Sequence, residues 1–379
     1  MTHVVLIAHA RHPVREPFAG GLESLTARLA GRLRDRGVQV TVFAGPGSEM
    51  TPPAQIMTVR ELQLSAAARR DVSMPEEEHL RQHHAYLQVM VELGRRADVD
   101  VVHNNSLHYL PIAMATTVPA PMLTTLHTPP TPWLEPAIGL MDTSRARFVA
   151  VSVFTARSWS HVVASRVIRN GVDVDQWQPG PGGPDLVWCG RIVPEKAPHL
   201  AILVARAAGR RIQLAGPLSD RAYFDARVAP LLGEDARYAG HLDTAQLVAL
   251  VGSSAAMLVT PVWDEPYGLV AAESLACGTP VLGFARGGLP EVVDDSCARL
   301  VQCDASGDAN PENADPENAA AGLAAEAAAV QAAAALVEDV VRLDRGAARE
   351  RAVTACSLDT MVDDYLQMYA EMAPEPAFA

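Results

Sequence analysis

Val4 to Ala8 is an unbroken apolar run inside His3–His9. Gly21 to Arg36 then sets Leu22, Leu25, Leu29 and Leu33 on one helical face, and Val38 to Ala44 is apolar again. A strand buried on both faces, an amphipathic helix and a second such strand form a βαβ unit, which requires a parallel sheet covered by helices. All-β and all-helical folds are excluded at once. The pattern resumes at Val99–His103, Met122–Leu126 and Phe148–Val151, and a second set runs through Leu186–Cys189, Arg211–Ala215, Ala256–Val259 and Pro280–Gly283. Between the sets lies Pro179-Gly180-Pro181-Gly182-Gly183-Pro184, which suits neither helix nor strand and marks a boundary between domains. At 379 residues the chain exceeds what one core fills, so two α/β domains are expected, residues 1–175 and 176–357.

The stretch 304–318 contains the near-duplicates Asn310-Pro311-Glu312-Asn313 and Asp315-Pro316-Glu317-Asn318 and reads as a surface insertion; Ala319 to Leu336 is a helix by alanine content. Leu358 to Met372 carries Met361, Tyr365, Met368 and Tyr369 at helical spacing and forms a last helix. A net charge of −13 argues against nucleic acid or an anionic membrane as the main partner. Five scattered cysteines offer neither zinc spacing nor a disulfide framework, so a cytoplasmic setting is expected. The start lacks a signal-peptide pattern, and no apolar run reaches the ~18 residues of a spanning helix, so no stable membrane insertion is expected.

Lys196 is the only lysine, the other 30 of 31 basic side chains being arginine. It follows Arg191 by five positions in Gly190-Arg191-Ile192-Val193-Pro194-Glu195-Lys196, beyond a predicted strand, where a compact ammonium is kept in place of a planar guanidinium. Downstream, Glu265 and Glu273 stand eight residues apart around Pro266-Tyr267-Gly268, and the helix from Leu269 to Cys277 begins there. Such a strand-turn-helix aims the free N–H groups near Gly268, Leu269 and Val270 at an anion, leaving the two carboxylates to bind hydroxyls. Two cations and a helix N-terminus can neutralise a leaving diphosphate without a metal. Asp98-Val99-Asp100 and Asp173-Val174-Asp175 have DxD spacing, but one straddles a strand entry and the other a domain junction; no metal site is assigned. His79 and His83, four apart among Glu76, Glu77, Glu78 and Arg81, read as a solvated helix face. Gly20-Gly21 permits close backbone approach to a ligand at the head of the first helix, and His127 ends a strand before Thr128-Pro129-Pro130.

In this order the pieces resemble the retaining GT-B glycosyltransferases of family four: Gly20-Gly21-Leu22-Glu23, His127-Thr128-Pro129, Asn170-Gly171-Val172-Asp173, Gly190-Arg191 with Lys196, Glu265-x7-Glu273, and Gly287-Gly288-Leu289-Pro290-Glu291. The match spans nearly the whole chain, with one departure, Ala197 where that family carries glycine. The resemblance implies a GT-B architecture, two doubly wound Rossmann-like domains facing a cleft, with the last helix (about 358–379) crossing back to the first. It implies a hexosyl or N-acetylhexosaminyl transferase with no cofactor and no metal, working by front-face attack. Arg191 and Lys196 would hold the diphosphate, Glu273 the ribose, Glu265 the donor sugar, Gly21 a backbone contact and His127 a sugar hydroxyl; Gly216, Tyr267, Gly268, Leu269 and Val270 complete the donor set. The donor is taken as a UDP-sugar on frequency alone. The acceptor, a small molecule, glycan or lipid-linked hydroxyl, would meet Arg11, Arg15, Asn105 and His108. A nucleotide-sugar epimerase of the same fold and a non-catalytic sugar-nucleotide sensor are the alternatives.

Overall fold

The computed structural model describes residues 2–50, 55–58, 62–71, 73, 77–142, 146–303 and 316–373. Among the described residues, thirteen strands build two wholly parallel sheets. The first holds β1 (His3–Ile7), β2 (Gln39–Ala44), β3 (Gln55–Thr58), β4 (Val101–Asn104), β5 (Met122–Leu126), β6 (Ala146–Ala150) and β7 (Arg166–Val167), in the order 3-2-1-4-5-6-7. The second holds β8 (Leu186–Cys189), β9 (Ile212–Ala215), β10 (Ala236–Gly240), β11 (Ala256–Val259), β12 (Val281–Phe284) and β13 (Ala298–Val301), in the order 10-9-8-11-12-13. Each order reverses once, between β1 and β4 and between β8 and β11. In open parallel sheets a ligand crevice opens beyond the carboxyl ends of the strands at that reversal. All five residues of β1 and all four of β11 are buried, which explains their unalternated apolar sequences.

The segment 178–185 contains neither helix nor strand, and two arginines that bond backbone carbonyls fasten the chain around it. Arg349 donates to the carbonyls of Val174, Trp177 and Ala276, each at 2.7 Å, and Arg345 donates to those of Gly252 and Cys277. The helix Leu358–Met372 lies on the first sheet. Met361, Val362, Tyr365 and Tyr369 share a core with Leu6, Leu25 and Leu29, and Tyr369 Oη lies 2.6 Å from the buried ring of His103. Gly171 is obligatory at the crossing, since a Cβ there would stand 2.4 Å from Leu358 Cα.

The insertion expected at 304–318 falls mostly outside the described residues. The alanine-rich helix begins earlier and runs further, Pro316–Val340. By length and composition its portion Ala321–Val340 would pass as membrane-spanning, contrary to the expectation that no run reaches that length. Its Ala329, Ala333, Val337 and Val340 are packed in the core of the second sheet, and Glu338 pairs with Arg210 at 2.6 Å, the arrangement of a helix with one face on a protein core.

Candidate functional site

A cavity of about 390 Å³ lies where the carboxyl rims of the two sheets meet, at both reversal points. Its wall contains Arg11, Gly21, His127, Arg191, Lys196, Gly216, Glu265, Tyr267, Gly268, Leu269, Val270 and Glu273. These residues come from positions 11 to 273 and meet because they lie in loops that follow strands or in the first turns of helices. Arg15, Asn105 and His108 are absent from that wall.

Arg191 and Lys196 occupy the loop after β8, and Glu265 the loop after β11, the two strands flanking the reversal. Lys196 Nζ donates a short hydrogen bond to Glu265 Oε2, which also accepts from Trp263 Nε1 at 3.1 Å. The Lys196 ammonium stands 5.0 Å from the centre of the Trp263 ring, so one tryptophan holds both members of the ion pair. Arg191 meets Glu195 at 3.3 Å and lines the cavity. Ala197, the departure from the family pattern, is the one non-glycine residue with positive φ among the described residues, at 44°. A left-handed alanine costs roughly 1–2 kcal/mol, which explains why glycine suits this position.

Gly268, at φ 102°, turns the chain into the helix Leu269–Ala276, whose first turn borders the cavity. The helix Gly21–Asp35 of the first sheet starts opposite, and a Cβ on Gly21 would come within 3.0 Å of Leu269 Cδ1. Two helix N-termini therefore converge on one space, a favourable place for anionic oxygens. Glu273 lies one turn in. Burial raises its carboxyl to about 8, with Arg28 the one opposing charge. Tyr267 turns its ring into the core beside Cys356, which leaves its backbone, not its hydroxyl, to face a ligand.

His127 is neutral, its pKa lowered to about 3 by burial and by His9. The neutral imidazole so favoured can exchange hydrogen bonds with a ligand. Asn105 explains its orientation: the Asn105 side chain meets His127 Nε2 at 2.9 Å from behind. The expected acceptor contact at Asn105 is thus replaced by support for the imidazole, whose tautomer the amide selects. Asn105→Ala is expected to lower turnover by about tenfold while leaving nucleotide affinity intact, as measured by steady-state rates and calorimetry.

Two other residues assigned to the acceptor also lie elsewhere. Arg15 reaches Glu49 at 3.8 Å on the surface, and His108 is buried, accepting from Leu110 N and stacked between Tyr86 and Tyr109. Asp98 is held by Arg96 at 2.6 Å; Asp173 pairs with Arg32 at 3.1 Å and accepts from the N–H groups of Asp175 and Gln176. His79 and His83 face rings, not solvent alone: His79 lies against Trp133, and His83 against His108 and Tyr109.

Two carboxylates that stand inside quoted motifs, but to which the sequence assigned no role, are placed by the structure. Glu23, in the first turn after Gly20-Gly21, is 5% exposed, lines the cavity, and has its pKa raised by burial against the pull of Arg191 and Arg11. Glu291 crosses to the other sheet's unit, where its carboxylate accepts from the N–H groups of Val153 and Phe154 at 2.9 and 2.7 Å, opening the helix Val153–Trp159. The motif marks Glu291, but its partners 137 and 138 residues away cannot be read from local spacing.

Residues 19–176 match the family model described as Glycosyltransferase Family 4, and residues 173–308 that described as Glycosyl transferases group 1. The chain belongs to glycosyltransferase family 4. It is 37% identical over 139 residues to the glycogen synthase of Mycobacterium tuberculosis, covering 34% of this chain and 33% of that protein. It is also 36% identical over 147 residues to the D-inositol 3-phosphate glycosyltransferase of Mycolicibacterium paratuberculosis, with the same 34% and 33% coverage. The chain thus spans about a third of the length of these curated relatives. Among solved structures it is similar in fold to AviGT4, a glycosyltransferase involved in avilamycin A biosynthesis (TM-score 0.66, 21% identity, 98% of each chain). It is likewise similar to Anabaena HepE in complex with UDP and glucose (TM-score 0.71, 14% identity, 98% of this chain and 100% of that one). The family 4 chain therefore has the two-sheet GT-B fold along almost its entire length.

Proposed function

We propose that this protein is a retaining glycosyltransferase that moves a hexosyl or N-acetylhexosaminyl group from a nucleoside-diphosphate sugar, a UDP-sugar, to a hydroxyl acceptor. The observation carrying this reading is the meeting of Arg191, Lys196 and two helix N-termini with Glu265 and Glu273 in one cavity at both sheet reversals. The anomeric carbon–phosphate bond breaks as the acceptor oxygen approaches from the same face. The acceptor proton passes to an oxygen of the departing diphosphate, so no side-chain nucleophile is needed. Arg191 and Lys196 offset the charge that develops on that diphosphate. Lys196 reaches it by exchanging its bond to Glu265, which then accepts from a hydroxyl of the donor sugar.

The test is hydrolysis and transfer across UDP-, GDP- and ADP-sugars in excess EDTA, with the product anomer read by NMR. Turnover of a UDP-sugar with retained configuration is expected at undiminished rate. A loss of about tenfold or more, restored by Mn²⁺ or Mg²⁺, would overturn the metal-free mechanism; inverted product would overturn the front-face one.

A further inference from the structure

The geometry points to a saccharide-binding ledge on the first sheet's rim, centred on Trp133, that receives a ring of the acceptor. This deepens the reading above and depends on it. Phe, Trp and Tyr make up only 5% of the chain, yet Tyr86, Tyr109 and Trp133 gather here with His79, His83 and His108. The rings form a continuous series. Tyr86 stacks on His108 at 4.6 Å, His108 on Tyr109 at 4.8 Å, and Trp133 leans on both His108 and Tyr109 at 5.3 and 5.1 Å, with His79 beyond it at 5.6 Å. The series begins at the cavity, where Tyr86 Oη meets His9 Nδ1 at 3.4 Å, and ends at Trp133, 42% exposed on the surface. Leu107, just before His108 and Tyr109, and Thr128, in the loop that leads to Trp133, line the cavity itself.

An exposed indole held by three tilted rings has little rotamer entropy left to lose on binding. Its chemistry favours a neutral ligand. Burial and neighbouring imidazoles lower the His83 and His108 pKa values, the latter to about 4, so these imidazoles are uncharged near neutral pH. A pyranose matches such a surface: its axial C–H face lies on the rings while its hydroxyls point to water and to imidazole edges. A phosphate or carboxylate would find no fixed cation among the rings themselves.

The experiment uses the full chain with saturating UDP, titrated with a panel of free mono- to trisaccharides, and with glycerol and inorganic phosphate as ringless controls. Shielding of tryptophan from acrylamide is the readout in wild type, and the saccharide and UDP affinities of wild type, Trp133→Ala and Trp133→Phe are all measured by calorimetry, which does not depend on the indole. At least one saccharide is expected to shield wild type. Its affinity should drop by about tenfold in Trp133→Ala and stay within about threefold in Trp133→Phe, because a smaller ring preserves stacking. UDP affinity should be equal in all three. Equal saccharide binding by Trp133→Ala, shielding by phosphate in place of sugars, or no shielding by any saccharide overturns the ledge. Failure of wild type to bind UDP would instead overturn the donor reading, a distinct result.

Discussion

Lys196→Arg is expected to reduce turnover by about 10²- to 10³-fold, the scale of losing one oriented donor to a developing anion. The position is not generically basic. Lys196 is wedged between the Glu265 carboxylate and the face of Trp263, on a loop closed by the left-handed Ala197. A guanidinium is longer and planar; it satisfies Glu265 with two parallel bonds and stacks on the indole, a better pairing than the ammonium makes. That gain is the source of the defect. Arginine would remain with Glu265 when the diphosphate needs it, whereas a single ammonium hydrogen bond exchanges readily. Free UDP should bind Lys196→Arg within about threefold of wild type, because Arg191 and the helix N-termini persist, and the loss should fall on kcat. Near-normal turnover in this variant would show that charge alone, not its form, matters at Lys196.

The parts legible in the sequence were those fixed by local chemistry. Apolar runs bounded by glycine and proline give strands such as Met122–Leu126 and Leu186–Cys189 at their observed limits, because strands buried on both faces need unbroken apolar sequence. β3, β7, β10 and β13 lie nearer the sheet edges, and short or mixed segments such as Arg166–Val167 and Ala236–Gly240 carry no such signature. Within the site, residues at strand ends and helix starts could be assigned to the rim, since topology alone puts them there. What could not be read is direction. Asn105 and His108 follow β4 on the correct rim, yet one side chain turns behind His127 and the other into a stack of tyrosines. Rotamers chosen by long-range neighbours leave no trace in spacing. The same holds for Trp263, whose position beside the acidic motif was visible but whose hold on both Lys196 and Glu265 depends on a fold that brings residues 196 and 265 together.

Glu273→Gln and Glu265→Gln should separate the two carboxylates by opposite signatures. Glu273 stands within the helix Leu269–Ala276 on the cavity wall, with its carboxyl raised by burial to about 8. A pair of ribose hydroxyls is bound best by the ionised form, so wild-type affinity for free UDP should tighten as pH rises from 6 towards 8.5. Glu273→Gln should bind about 10- to 100-fold more weakly at the upper end, the cost of losing hydrogen bonds to a charged group, and show little pH dependence. Stability should move the other way. A carboxyl whose folded pKa exceeds its unfolded value of 4.5 favours folding fully only below that value, and the contribution is lost as pH climbs to 8. The glutamine variant escapes that loss, so its unfolding midpoint should lie close to that of wild type near pH 5 and above it near pH 8.5. Weaker binding by a more stable protein cannot be attributed to misfolding. Glu265→Gln should keep free UDP within about threefold of wild type, or bind it slightly tighter because Lys196 is released, while kcat falls by about 10²-fold, since a bond that strengthens as the sugar acquires positive charge acts on rate. Calorimetry with UDP and thermal scans at the two pH values test all of this. Loss of UDP by Glu265→Gln with retention by Glu273→Gln would reverse the assignment of ribose and sugar along this loop and helix.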